Sequence, residues 1–145
     1  MTDQEFVRDQ AQIQRVLFDY AWGCDNGDWD LLRSIFTDDA HLDYASTGGP
    51  AGGRDEVVAW LERSLTQLDF IQHVVSNFQI DVSGDNASGR AMFFATFRAP
   101  GSGGVLFTGG YYALELVRNS NGWLLKRLSE DNRWMTGGPG ADAGA

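Results

Sequence analysis

The spacing of apolar residues changes once along this chain, and the change limits what it can fold into. Up to Leu68 they recur every three or four positions, whereas from Phe70 onward they recur every two. Side chains three or four apart share a helix face, and side chains two apart share a strand face. Helices first and strands after, with one short strand among the helices, imply an α+β domain. Three N-terminal helices would pack on one face of a curved, mainly antiparallel sheet and enclose a pocket.

The first helix spans residues 4–24, with Ile13, Val16, Leu17, Tyr20, Ala21 and Cys24 on its apolar face and Asp9, Gln10, Gln12, Gln14 and Arg15 mostly on its wet face. Asp25-Asn26-Gly27 stops it, because Asn and Gly accept left-handed backbone at a helix C-terminus. Asp25 therefore falls at or just past the helix end. Asp28 reads as the N-cap of a short helix carrying Leu31, Leu32, Ile35 and Phe36, which ends at Thr37-Asp38-Asp39. Residues 40–44 alternate as a strand, His41 and Asp43 on a solvent-exposed side, Leu42 and Tyr44 on the other.

A Gly- and Pro-containing loop, 46–53, is expected to be mobile and near the cavity mouth. The third helix covers 54–68. Four strands follow at 70–82, 87–98, 105–118 and 123–133, and Ile71, His73, Val75 and Asn77 share a face of the first of these. One domain of residues 1–135 results. The Gly- and Ala-rich tail 136–145 has little to bury and is expected to be poorly ordered.

Composition removes several classes of function. The formal charge of -9 and pI near 4.4 argue against nucleic acid, whose binders concentrate Lys and Arg. No apolar run approaches the roughly 20 residues that span a bilayer. The acidic N-terminus lacks the basic-then-apolar pattern of an export signal, so a cytoplasmic location is expected. A single cysteine and two histidines without metal-ligand spacing leave no expected metal site.

The residues able to carry chemistry are few. An imidazole, with an ordinary pKa of about 6.5, can take a proton and return it once its tautomer is fixed. A carboxylate on one ring nitrogen fixes it and stabilises the imidazolium. Asp25 is placed to do this for His73, with Tyr20 or Tyr44 donating to a substrate oxygen. Phe93, Phe107 and Tyr111 or Tyr112 would line the pocket from the sheet, together with Arg127. No Gly-x-Ser-x-Gly elbow is present, and Cys24 reads as a small buried hydrophobe. Each residue also has a structural reading: His73 as a satisfied strand histidine, Asp25 as a turn former, Tyr20 as core, Arg127 as a surface residue.

The run Tyr20-Ala-Trp-Gly-Cys-Asp25-Asn-Gly-Asp-Trp, then Phe36-Thr-Asp-Asp-Ala-His-Leu-Asp-Tyr44, His73-Val-Val-Ser-Asn77 and Gly122-Trp-Leu-Leu-Lys-Arg127 resembles the SnoaL-like branch of the nuclear transport factor 2-like superfamily. The resemblance reaches to about Trp134 and implies a cystatin-like α+β cone. Within the superfamily the chain is similar to scytalone dehydratases, hexachlorocyclohexane dehydrochlorinases and bile-acid dehydratases, whose His–Asp pair corresponds to His73 and Asp25.

Tyr44 matches a water-holding tyrosine of the first group, Tyr20 an active-site tyrosine of the third, and Arg127 a late-strand arginine of the second. The resemblance implies a cofactor-independent lyase. Its substrate would be small, hydrophobic, aromatic or alicyclic, and the protein a homodimer or homotrimer. Isomerases, polyketide cyclases and a non-catalytic small oxygenase subunit share the fold and stand as alternatives. A second dehydratase histidine is absent, an apolar residue standing near Ala91. Tyr20 also replaces the dehydrochlorinase lysine.

Overall fold

Thr2 starts the first helix with a reciprocal cap: its hydroxyl accepts from the Glu5 N–H (3.2 Å), and the Glu5 carboxylate accepts from the Thr2 N–H (2.7 Å). Helix α1 then runs Asp3–Asn26 and ends where Gly27 turns left-handed (φ 67°). It is longer than the apolar pattern by about half a turn. Asp25 thus belongs to the last helical turn rather than to the loop after it.

The computed structural model describes residues 1–101 and 103–137. Its remaining elements are α2 (Trp29–Ser34), β1 (Phe36–Asp43), a 3₁₀ turn (Ala45–Thr47), β2 (Ala51–Gly53), α3 (Arg54–Leu65), β3 (Phe70–Ser83), β4 (Asn86–Arg98), β5 (Leu106–Asn119) and β6 (Gly122–Gly137). Two of the differences from the sequence reading change the type of element assigned. Phe36 opens β1 instead of closing α2, because it pairs with Leu125 of β6, a partner about ninety residues away that local pattern does not contain. The segment expected as a loop at 46–53 holds the 3₁₀ turn and β2, which pairs antiparallel with β1.

The sheet order is β2-β1-β6-β5-β4-β3. Only β1 and β6 run parallel; every other neighbouring pair is antiparallel. The three helices cover one face, so the expected α+β cone is the observed fold. Ile13, Leu17 and Tyr20 of α1 and Val57, Val58 and Leu61 of α3 are buried against Leu114, Leu116, Leu125 and Leu128 of the sheet. Strand β6 continues through Thr136 and Gly137, which pair with Phe107 and Leu106. The rest of the expected disordered tail lies outside the described residues.

Register breaks give the sheet its curvature and decide which side chains point inward. In β3 the break lies between Ser76 and Gln79, with Asn77 in positive φ (53°). Ile71, His73 and Val75 face the helices before it; Phe78, Ile80 and Val82 do so after it. Asn77 is therefore exposed, not on the His73 face. In β6 a break opposite Glu115 and Leu116 leaves Lys126 as the extra residue. Trp123 and Leu125 point inward before it, and Leu128, Glu130 and Asn132 after it.

A second break in β6 sits where Gly110 lies against the opposing strand: a Cβ there would fall 2.0 Å from the Asp131 carbonyl oxygen. Only glycine fits at that distance.

Asp9, expected on the wet face of α1, is buried (2% exposed). Its Oδ1 accepts from Arg118 Nη1 (2.8 Å) and from Trp123 Nε1 (3.2 Å). A carboxylate is tolerated in the interior only when so paired. The arginine and tryptophan come from strands more than one hundred residues later, beyond the reach of any helical periodicity.

Candidate active site

The end of α1 meets the middle of β3. Asp25 Oδ1 lies 2.6 Å from His73 Nδ1, and Asp25 Oδ2 accepts from the His73 backbone N–H at 2.9 Å. A carboxylate can only accept, so in the neutral ring Nδ1 carries the proton and Nε2 the lone pair. Among the described residues Nε2 makes no hydrogen bond, while the ring lines a cavity. His73 and Asp25 side chains are 8% and 16% exposed, which keeps bulk water from competing for the pair.

The cavity holds about 240 Å³. Its walls are mostly apolar: Trp60, Leu61 and Leu65 from α3, Leu68 after it, Ile71 from β3, and Phe93, Ala95 and Phe97 from β4. Polar atoms converge on it from Tyr20, Tyr44, Thr47, His73, Thr108, Glu130 and Asn132. Such a volume lies just below the usual range of small-molecule pockets.

Tyr20 and Tyr44 are both fully buried, and their hydroxyls form a short hydrogen bond with each other. One proton serves that bond, so the pair keeps a second hydroxyl hydrogen that it can donate. Burial holds both phenols well above their ordinary 10.0, and they remain neutral donors. Tyr20 packs edge-on against His73 (centroids 6.2 Å apart) and against Tyr112 (5.4 Å). Cys24 lines the wall beside Tyr20; burial pushes its thiol up, away from thiolate chemistry.

Of the residues expected at the site, the structure brings Tyr20, Tyr44, His73 and Phe93 to the cavity, with Asp25 behind the imidazole. Three do not reach it. Arg127 is exposed, because the extra residue at Lys126 reverses the alternation that Trp123 and Leu125 establish. Phe107 and Tyr111 are 38% and 41% exposed on the outer face of β5, where Phe107 packs on Phe94 and the Arg133 guanidinium lies over Tyr111.

The inward residues of β5 are Thr108 and Tyr112. In Phe-Thr-Gly-Gly-Tyr-Tyr both alternations carry an aromatic residue, so pattern alone does not choose. Tyr112 stacks on Phe93 (4.6 Å), and its buried hydroxyl has no partner among the described residues.

Four polar residues of the wall were not anticipated: Thr47, Thr108, Asn132, which donates to Thr108 Oγ1, and Glu130. Burial raises the Glu130 carboxyl above its ordinary 4.5, against smaller opposite pulls from the Thr47 hydroxyl and from His73. His41, expected to be solvent-exposed, is only half-exposed, and its Nδ1 is buried without a partner among the described residues. Among those residues no group of three or more His, Cys, Asp or Glu side chains could hold a metal ion, and no helix is long and apolar enough to cross a membrane.

Compared with known proteins, residues 5–129 match the model of the SnoaL-like domain. The chain belongs to that family. This SnoaL-like protein is 34% identical to an uncharacterized protein of Mycobacterium tuberculosis over 125 residues, 86% of this chain and 85% of the other. It superposes on a Novosphingobium aromaticivorans protein provisionally assigned as a scytalone dehydratase with a TM-score of 0.82 and 28% identity, covering 94% of this chain and 91% of that one. A hexachlorocyclohexane dehydrochlorinase, LinA-type3 of Novosphingobium barchaimii, shares the fold at TM-score 0.82 and 19% identity over 94% of each chain. The SnoaL-like architecture is thus shared with proteins named for elimination reactions.

Proposed function

We propose that this protein is a cofactor-independent lyase that eliminates a small group from a small, largely apolar cyclic substrate. The observation that carries the reading is an imidazole whose Nδ1 is held by Asp25 at 2.6 Å while its ring lines a mostly apolar cavity. His73 Nε2 takes a proton from a carbon next to a substrate carbonyl. Asp25 keeps the ring in the required tautomer and stabilises the imidazolium as it forms. The Tyr20–Tyr44 pair donates its free hydroxyl hydrogen to the carbonyl oxygen as negative charge collects there. The carbon–leaving-group bond then breaks and a double bond forms.

Turnover of cyclic β-hydroxy ketones by wild type, His73→Ala and Asp25→Asn tests the reading. Both variants should fold and lose about 10²–10⁴-fold in kcat/KM, the usual contribution of a positioned base. Folded variants with undiminished turnover would show the dyad to be a structural contact. A product of unchanged mass would make the enzyme an isomerase working with the same base.

A further inference from the structure

We infer that Glu130 is a second catalytic group of this cavity, the acid that protonates the departing oxygen, and that the leaving group is therefore a hydroxyl rather than a halide. The inference rests on the lyase reading above and adds the substrate's leaving group to it.

Glu130 points inward because of where β6 breaks register. The extra residue at Lys126 places Leu128, Glu130 and Asn132 on the helix-covered face, and Glu130 is the direct cross-strand partner of Tyr112, whose side chain is wholly buried on that face. Side chains of opposed residues in a sheet share a face. Glu130 thereby joins the wall that also carries His73 and Tyr44. Among the described residues Glu130 has no ion-pair partner, unlike Asp9, whose buried charge is met by Arg118. A carboxyl placed in an apolar wall without a cation favours its neutral, proton-carrying form.

His73 and Glu130 approach the cavity from different walls. They stand on β3 and β6, which β4 and β5 separate in a curved sheet. That arrangement suits a β-hydroxy carbonyl compound, whose C–H proton and hydroxyl sit on adjacent carbons. Nε2 takes the proton, and the C–H electron pair passes through the enolate, held by the tyrosine pair, into the new C=C bond. The C–O bond breaks, its electrons stay on oxygen, and that oxygen takes the Glu130 proton to become water. The imidazolium then returns its proton to the Glu130 carboxylate through the released water, which restores the starting state.

A chloride would leave without needing a proton, and among the described residues this wall offers no Lys or Arg to receive it. The titratable groups near Glu130 are Tyr20 and Cys24 of α1, Tyr44 before the 3₁₀ turn, His73 of β3 with Asp25 behind it, and Tyr112 of β5. Burial keeps the three phenols neutral, leaving the His73–Asp25 pair as the partner for proton exchange.

Two measurements test the assignment. In protein labelled with ¹³C at glutamate Cδ, the resonance missing from Glu130→Gln should titrate above the ordinary glutamate range, and higher still in His73→Ala. Rates are then compared for 3-hydroxycyclohexanone and 3-acetoxycyclohexanone, which yield the same enone but differ in whether the leaving group needs a proton.

Glu130→Gln should lower kcat/KM for the hydroxyl compound about 10²-fold more than for the acetate, the contribution expected of a general acid. His73→Ala should lower both. An ordinary titration of Glu130, or equal losses on the two ketones, overturns the inference while leaving the dyad intact. Full activity of His73→Ala on both ketones instead overturns the lyase reading on which it rests. Turnover of neither ketone by wild type overturns it as well.

Discussion

Asp25 holds His73 at two points, the ring through Nδ1 (2.6 Å) and the backbone through its N–H (2.9 Å). One carboxylate thereby does two jobs. It orients the imidazole, and it ties the end of α1 to β3, an edge strand of the sheet. The two jobs should separate on mutation. Asp25→Asn retains an oxygen for one of the two donors, whereas Asp25→Ala leaves both part-buried donors unpaired. Asp25→Ala is expected to lose about 1–3 kcal/mol, the cost of stranding buried polar groups, and Asp25→Asn less, while both lose turnover. Urea denaturation beside a rate assay reads the two effects; equal stability losses would contradict the second job.

Removal of either hydroxyl from the Tyr20–Tyr44 pair should leave the cavity shape intact. Tyr44→Phe deletes one partner and frees the Tyr20 hydroxyl, at a stability cost of about 0.5–1.5 kcal/mol. The double variant loses every donor at that position. Its kcat should fall further than that of either single variant, with KM changing less, because the donor acts on charge that develops only during reaction. Equal rates for single and double variants would remove the pair from the mechanism.

The interior pair far from the cavity should respond asymmetrically. Arg118→Ala leaves the 2%-exposed Asp9 carboxylate with only the Trp123 N–H, and about 3–5 kcal/mol should be lost. Asp9→Asn leaves an arginine that is 32% exposed and still reaches Asp85 at 3.1 Å, so its cost should be smaller, about 1–3 kcal/mol. Chemical denaturation of the two variants gives the order directly; the reverse order would show that the arginine, not the carboxylate, is the buried liability.

Glu130 should leave a mark on stability that requires no substrate. Because burial raises its pKa from the ordinary 4.5, the folded protein holds this proton more tightly than the unfolded chain does. Folding then takes up a proton between the two values: the contribution is complete below the unfolded pKa and is lost as pH rises through the folded one. Glutamine has no such proton. The stability of Glu130→Gln relative to wild type should therefore increase as pH rises from 4.5 toward neutrality, and a pH-independent difference would show that the carboxyl is not perturbed.

Much of the site was legible because its parts lie in local patterns. Asn26-Gly27 ends α1, which puts Asp25 near a helix terminus, and His73 shares the parity of Ile71 and Val75, which must face the helices. Strand alternation failed where the register breaks. Asn77 and Arg127 were assigned by a period that bulges interrupt, and in β5 Phe107 and Tyr111 occupied the wrong one of two aromatic alternations. Glu130 went unrecognised for the same reason, since its inward direction follows only once the extra residue at Lys126 is known.

The chain's own order of periods determined the α+β class, the three helices and the strand meander, and it placed a carboxylate at a helix end and a histidine on the inward side of a strand. These are consequences of side-chain direction within single elements, which sequence spacing encodes. Only the tertiary structure decided that Asp9 is buried against Arg118, that Phe36 begins a strand, and that Glu130 rather than Arg127 enters the cavity. Each of these depends on a partner many residues away or on a bulge set by sheet curvature. Such pairings carry no mark in the local alternation of apolar and polar residues.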